Sequence, residues 1–175
     1  KPIIAAVNGH AVGVGITFSM LCDVRLVAEN AKIQYAMVRR GVVPELASHV
    51  ILPRVIGFSK AAELMLTGRM LSGTEAAELG LASRALPADQ VLTEAMSLAA
   101  DMVRNASPVA LAVSKQLLWQ GVTAGVDEML SREGRVINSI ARMPDAVEGV
   151  TAFFERRDAV WSGRVNESAD DVLEC

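Results

Sequence analysis

Two short stretches of this chain combine residue types and spacing that could do chemistry. The first is Val7-Asn8-Gly9-His10-Ala11-Val12-Gly13-Val14-Gly15, running on to Leu21-Cys22-Asp23. An apolar strand pattern stops at glycines here and restarts as a helix, so the first amides of that helix point at whatever lies beyond its N-terminus. Such amides lack intrahelical acceptors and carry partial positive charge, which stabilises an oxygen that gains negative charge during a reaction. Chemistry is therefore expected near Val14, although the same glycines would serve a turn that only packs a strand against a helix. The second stretch is Val43-Pro44-Glu45. Pro44 opens helical spacing (Leu46, Val50, Ile51) that stops at Pro53, which places Glu45 in a first turn. A carboxylate there can act as a base or merely complement the helix dipole. His49 falls one turn later, where it could hydrogen-bond Glu45, or else pack or face water.

Other candidates read less sharply. The Gly13–Gly15 pair is not a dinucleotide fingerprint, since Phe18 occupies the third glycine position and no acidic residue is placed to hold a ribose. His10 sits in the turn before the helix, with a structural role expected. Two histidines and no acidic cluster give no metal site.

The elements that must position these residues are legible as patterns. Ile3 to Val7 and Val24 to Val27 read as strands around a helix from Val14 to Cys22, which argues for an α/β fold. Lys32 to Tyr35 alternates as a short strand. A helix from Ser59 to Thr67 ends at Gly68, Ser72 and Glu75 form a capping box for a helix that stops at Gly80, and Leu81 to Leu86 reads as an edge strand. From residue 88 the pattern changes to amphipathic helices: Asp89 to Arg104, Pro108 to Gln120 capped by Ser107, Val126 to Arg142, and Asp145 to Arg157. Three regions follow: a core over 1–87, a helical region over 88–161, and a mobile polar tail over 162–175.

Composition excludes several classes. With 175 residues, 51% hydrophobic and 21% charged, the chain can bury a core as one domain. A net charge of −3 with scattered basic residues argues against nucleic acid as a partner. No apolar run is long enough to span a bilayer. Cys22 and Cys175 form neither a disulfide framework nor a metal motif, which fits a reducing cytoplasm. Lys1-Pro2 leads straight into a strand pattern, so part of the domain is expected to precede Lys1.

The order of KPIIAAVNGHAVGVG, CDVRLVAENAKIQ, RRGVVPE, LPRVIG, LTGRMLSGTEAAELGLASRAL and DAVEGVTAFFERR resembles the crotonase superfamily, which includes the enoyl-CoA hydratases and isomerases. The resemblance covers nearly the whole chain. It implies repeated ββα units with a C-terminal helical trimerisation region, hence a homotrimer or a dimer of trimers. It also implies an acyl-CoA substrate, coenzyme A being part of that substrate and no cofactor being held permanently. The thioester carbonyl would point at two backbone N–H groups, one of them matched by Val14 and the other upstream of Lys1, so that a chain truly starting at Lys1 should be inactive. Gly13 and Gly15 would border the thioester. Asp23 reads as structural, and at most one of Arg39 and Arg40 would meet CoA phosphates. Phe153 and Arg157 resemble the terminal helix that covers the acyl chain and reaches the CoA of a neighbouring subunit, the alternative being a core aromatic pair beside a solvated basic face.

The departures from the hydratase pattern are specific. Hydratases carry one Glu shortly after the glycine cluster and a second after the following strand, and these positions are Thr17 and Met37 here. Neither side chain can accept and return a proton at neutral pH, so both enter only as substrate-lining residues. Val43-Pro44-Glu45 resembles the 3-enoyl to 2-enoyl-CoA isomerases, in which a sole catalytic Glu follows Pro. The resemblance therefore implies a double-bond shift by one base, with hydratase or other lyase activity and a non-catalytic acyl-CoA-binding module as the competing functions.

Overall fold

A computed structural model describes residues 1–166 and Val172. Packing divides the chain into two compact units, one of residues 3–97 and the other of residues 1–2 with those from 98 onward.

The first unit is built from β1 (Ile4–Val7), β2 (Ala11–Val12), α1 (Val14–Ser19), β3 (Val24–Ala28), β4 (Lys32–Gln34), a 3₁₀ turn (Met37–Arg40), α2 (Ser48–Ile56), α3 (Phe58–Thr67), β5 (Met70–Ser72), α4 (Gly73–Glu78) and β6 (Arg84–Leu86). One sheet has the order β1-β3-β6, all parallel, with Ile4 opposite Val24 and Leu26 opposite Arg84. The other has the order β2-β4-β5, with Ala11 opposite Ile33 in parallel and Ile33 opposite Leu71 antiparallel. Each of the first two strand pairs thus gives one strand to each sheet before the chain turns into helix, which is the expected ββα unit. The expected strand from Leu81 is paired only over β6, at the sheet edge.

Apolar burial holds the unit together: Ile16, Met20, Leu26, Ile33, Leu52, Leu64 and Leu81 are all essentially inaccessible. Arg25 is buried with them, and its guanidinium donates to the carbonyls of Leu81 (2.9 Å), Cys22 (2.7 Å) and Ser19 (3.3 Å). One side chain on β3 therefore fixes the end of α1 and the approach to β6. The Asp23 carboxylate accepts from Ile3 N–H at 2.6 Å, in keeping with a structural reading. His10 also has a structural part, its Nδ1 accepting from Lys32 N–H at 3.1 Å. At the end of β3, α4 begins so close that a Cβ on Gly73 would lie 1.8 Å from the Ala28 carbonyl oxygen.

The capping readings hold in part. Ser72 accepts from Glu75 N–H at 3.1 Å, but the Glu75 carboxylate reaches Arg69 at 2.7 Å instead of closing the box. Three sequence expectations are corrected. The helix after the glycines ends at Ser19 rather than Cys22, two residues at 11–12 pair as β2 where a plain turn was expected, and Pro53 lies inside α2, which continues to Ile56.

α5 (Val91–Asn105) contains the division between the units at 97/98, so the packing boundary falls later than the change of pattern at 88. The second unit then comprises α6 (Pro108–Gly121), α7 (Val126–Ile140) and α8 (Pro144–Glu155). Its core is Val109, Ala112, Val113, Val136 and Val172, flanked by Leu117, Ile140, Met143 and Val165. Ser107 caps α6 as expected and also donates to buried Asp145 at 2.7 Å. The same carboxylate accepts from the backbone N–H groups of Ser162 (2.8 Å) and Gly163 (3.1 Å) and from the Ser162 hydroxyl (3.1 Å). The start of the expected mobile tail is therefore tied to α8, and Val165 and Val172 join the core; the rest of that expectation, at 167–171 and 173–175, lies outside the described residues.

Candidate active site

The glycine turn places α1 with its first amides outward. Gly13 has φ 59° and ψ −123°, a conformation that glycine adopts without a Cβ penalty, and its N–H donates to the Gln34 carbonyl on β4 at 3.0 Å. Its own carbonyl accepts from Ile16 N–H (3.2 Å) and Thr17 N–H (3.3 Å). Among the described residues, Val14 N–H and Gly15 N–H have no acceptor, and Val14 is 64% exposed. The turn thus leaves two adjacent donors toward solvent, the arrangement an oxyanion needs.

Glu45 is not where helical spacing put it. Leu46 and Ala47 both take left-handed backbone (φ 54° and 55°), and α2 starts only at Ser48. Two such non-glycine residues in succession are strained, of order 1–3 kcal/mol each. Buried Ser48 holds the bend: its hydroxyl and its N–H both donate to the Glu45 carbonyl, at 2.5 and 3.1 Å. The bend turns the Glu45 side chain onto α1, where the hydroxyl of fully buried Thr17 donates to Oε1 at 2.5 Å. Thr17 Oγ1 also lies 3.2 Å from the Val14 carbonyl oxygen. A carboxylate and the outward amide of Val14 are thereby carried on, or bonded to, one six-residue helix.

The remaining expected residues divide. Met37 is buried at the start of the 3₁₀ turn, where its carbonyl accepts from Val42 N–H at 3.2 Å and so shapes the approach to Glu45. His49 is exposed on α2 and makes no hydrogen bond among the described residues, because the bend removes Glu45 from the helix that was to align them. Arg39 donates to the Thr67 carbonyl at 2.7 Å, and Arg40 to the Arg39 carbonyl at 3.3 Å. Phe153 and Arg157 belong to the second unit. Phe153 and Phe154 are 77% and 76% exposed with centroids 5.6 Å apart, so they are not a core pair. Arg157 is held by Glu148 in a two-pronged pair (2.6 and 2.8 Å) and by Glu155 (2.6 Å); the bonds that Glu148 accepts from Arg157, and after them the one from Val160 N–H (2.7 Å), hold its carboxyl down at about 2. Sequence reasoning missed Ser48 altogether and read Thr17 as a substrate-lining residue in place of a carboxylate, whereas Thr17 is fully buried and bonded to Glu45. A serine just before the periodic residues was a helix-start signal competing with Pro44.

Residues 1–164 match the family described as Enoyl-CoA hydratase/isomerase. The chain belongs to that family. A probable enoyl-CoA hydratase/isomerase from Mycobacterium abscessus superposes with a TM-score of 0.90 at 40% identity, covering 94% of this chain and 64% of that one. An enoyl-CoA hydratase from Bacillus anthracis superposes at 0.89 and 31% identity, covering 94% and 63%. The fold is accordingly the crotonase fold. The chain is also 35% identical over 164 residues to the 2,3-dehydroadipyl-CoA hydratase of Escherichia coli (strain K12), covering 94% of this chain and 64% of that protein. A probable enoyl-CoA hydratase of Mycobacterium tuberculosis (strain CDC 1551 / Oshkosh) is 38% identical over 156 residues, covering 89% and 60%. The chain spans about three fifths of the length of these enoyl-CoA hydratase/isomerase relatives. Among the described residues there is no group of three or more metal-binding side chains, and no helix is long and apolar enough to cross a membrane.

Proposed function

We propose that the protein moves the double bond of a 3-enoyl-CoA to the 2-position, with Glu45 as its sole acid–base group. The observation that carries this reading is the Thr17–Glu45 hydrogen bond, which brings one carboxylate to the helix whose Val14 amide faces outward. In the first step Glu45 removes a proton from C2. The C2–H electrons form a C1=C2 double bond, and negative charge moves to the thioester oxygen held by Val14 N–H. In the second step the C3=C4 electrons take the proton from Glu45 to form the C4–H bond, the C1=C2 electrons become C2=C3, and the oxygen lone pair re-forms the carbonyl. No water enters, which agrees with Thr17 and Met37 standing where a hydratase needs carboxylates. Phe153 would cover the acyl chain, and the exposed apolar residues of the second unit, Leu118, Leu130, Ile137 and Val147 among them, would pack between subunits of a homotrimer or a dimer of trimers.

The hydratase names of the relatives favour a second reading, addition of water across a 2-enoyl-CoA. The two are separated by following cis-3-hexenoyl-CoA isomerisation and crotonyl-CoA hydration side by side in the complete protein and its Glu45→Gln variant. Isomerisation in the parent that falls at least about a hundredfold in the variant is expected. Isomerisation that survives the substitution refutes the mechanism, strong hydration by the parent refutes the substrate assignment, and CoA binding without turnover of either substrate makes the protein a binding module.

A further inference from the structure

Resting on the reading of Glu45 as the base, we infer that Thr17 is a positioning residue that serves both protonation states of Glu45 through one rotatable hydroxyl. Its Oγ1 lies 2.5 Å from Glu45 Oε1 and 3.2 Å from the Val14 carbonyl oxygen, and its side chain is wholly buried, so bulk water does not compete for it. A hydroxyl has one proton to give and two lone pairs to receive with. While Glu45 is ionised, the Thr17 proton points at Oε1 and leaves Oε2 to approach the substrate carbon. After Glu45 has taken the C2 proton on Oε2, the neutral acid is a weaker acceptor at Oε1, and the Thr17 proton can turn to the Val14 carbonyl while Oε2–H stays on the substrate side. The buried Thr17 hydroxyl keeps an acceptor at either stage, and the proton on Oε2 stays beside C2 and C4 while only that hydroxyl rotates.

Geometry also explains why a threonine suits this place. The Cβ branch narrows the rotamers available to Oγ1, and the helix fixes the Val14 carbonyl three residues earlier as the second acceptor. A second carboxylate at residue 17 would instead meet Glu45 as a like charge. The side chain therefore commits the site to one base, and the loss of a hydratase carboxylate becomes the gain of an orienting hydroxyl.

The test compares Thr17→Val, which keeps shape and removes the hydroxyl, with Thr17→Ser, which keeps the hydroxyl, in the complete protein with cis-3-hexenoyl-CoA as the probe. Thr17→Val is expected to lower kcat about tenfold to a hundredfold with KM within about twofold, since orientation is lost and substrate contacts are not. Thr17→Ser is expected to restore kcat to within about threefold of the parent, and exchange of the C2 proton with deuterated solvent should fall and recover in the same order. Should Thr17→Val not fold, Thr17→Ala, which also lacks the hydroxyl and adds no bulk, is read in the same way. A kcat for Thr17→Val within about twofold of the parent, in a series where Glu45→Gln is inactive, overturns the role of Thr17 and leaves the base assignment standing. An active Glu45→Gln overturns the base assignment and this inference with it.

Discussion

Asp145 offers the sharpest test of how the second unit is held together. Its carboxylate receives four hydrogen bonds, from the Ser107 and Ser162 hydroxyls and from the backbone N–H groups of Ser162 and Gly163, while the residue is only 6% exposed. Asp145→Ala removes all four acceptor contacts at once. A hydrogen bond to a charged group contributes about 1.5–3 kcal/mol, and such bonds on one carboxylate are not additive, because water reaches the Ser162 backbone once the side chain is gone. A loss of about 3 kcal/mol at pH 7 is expected, with Asp145→Asn losing about 2 because one oxygen acceptor remains. Burial alone would push the Asp145 carboxyl up, but the bonds from Ser107, Ser162 and Gly163 outweigh it and hold it below the usual value of 3.8. A carboxylate whose folded value is depressed contributes stability above its unfolded value and loses that contribution as pH falls through the folded one. The difference between parent and Asp145→Asn should therefore be constant from pH 7 to about pH 5 and shrink below about pH 4. Both tryptophans, Trp119 and Trp161, lie in this unit, so urea unfolding followed by their fluorescence reports it directly. A variant within about 0.5 kcal/mol of the parent at pH 7, or a difference that does not narrow by pH 3, would refute the reasoning.

Three further substitutions probe backbone fit. Gly73→Ala would drive a Cβ to 1.8 Å from the Ala28 carbonyl oxygen, a backbone atom that cannot swing aside; destabilisation of about 3 kcal/mol or more is expected, read by thermal unfolding of the first unit. Gly134→Ala, in the middle of α7 with nothing within 4 Å of the new Cβ, should raise stability by about 0.5–1 kcal/mol in the same assay. Ala47→Gly should relieve left-handed strain and stabilise by about 0.5–1 kcal/mol while lowering isomerase kcat, because the bend that aims Glu45 becomes looser; unchanged turnover would show that Ser48 alone holds the bend.

What could be read from residue types was largely local. The caps at Ser72 and Ser107 and the stops at Gly68 and Gly80 were legible because each is a short-range hydrogen bond or a left-handed turn with a residue preference. β2 was not, since two residues carry no period and its pairing with β4 is a long-range bond. The site divided along the same line. Val14 followed from the glycines beside it, whereas the bend at Leu46–Ala47 uses residues that do not advertise left-handed backbone. That bend misplaced Glu45 and with it the expected partnership with His49. The Thr17–Glu45 bond spans 28 positions, a separation that spacing rules do not reach, so a threonine read as lining the substrate is instead a contact of Glu45.

The left-handed pair at Leu46 and Ala47 has a further consequence for how such a site can be altered. The proposed base precedes α2 on a short tether joined to that helix through Ser48, while Leu52 and Ile56 of α2 are buried away from it in sequence. Length changes between Gly41 and Ala47 would re-aim the carboxylate without repacking the helix behind it. On the proposed reading of Glu45, the residue that would set the reaction and the side chains that bury α2 belong to different pieces of chain.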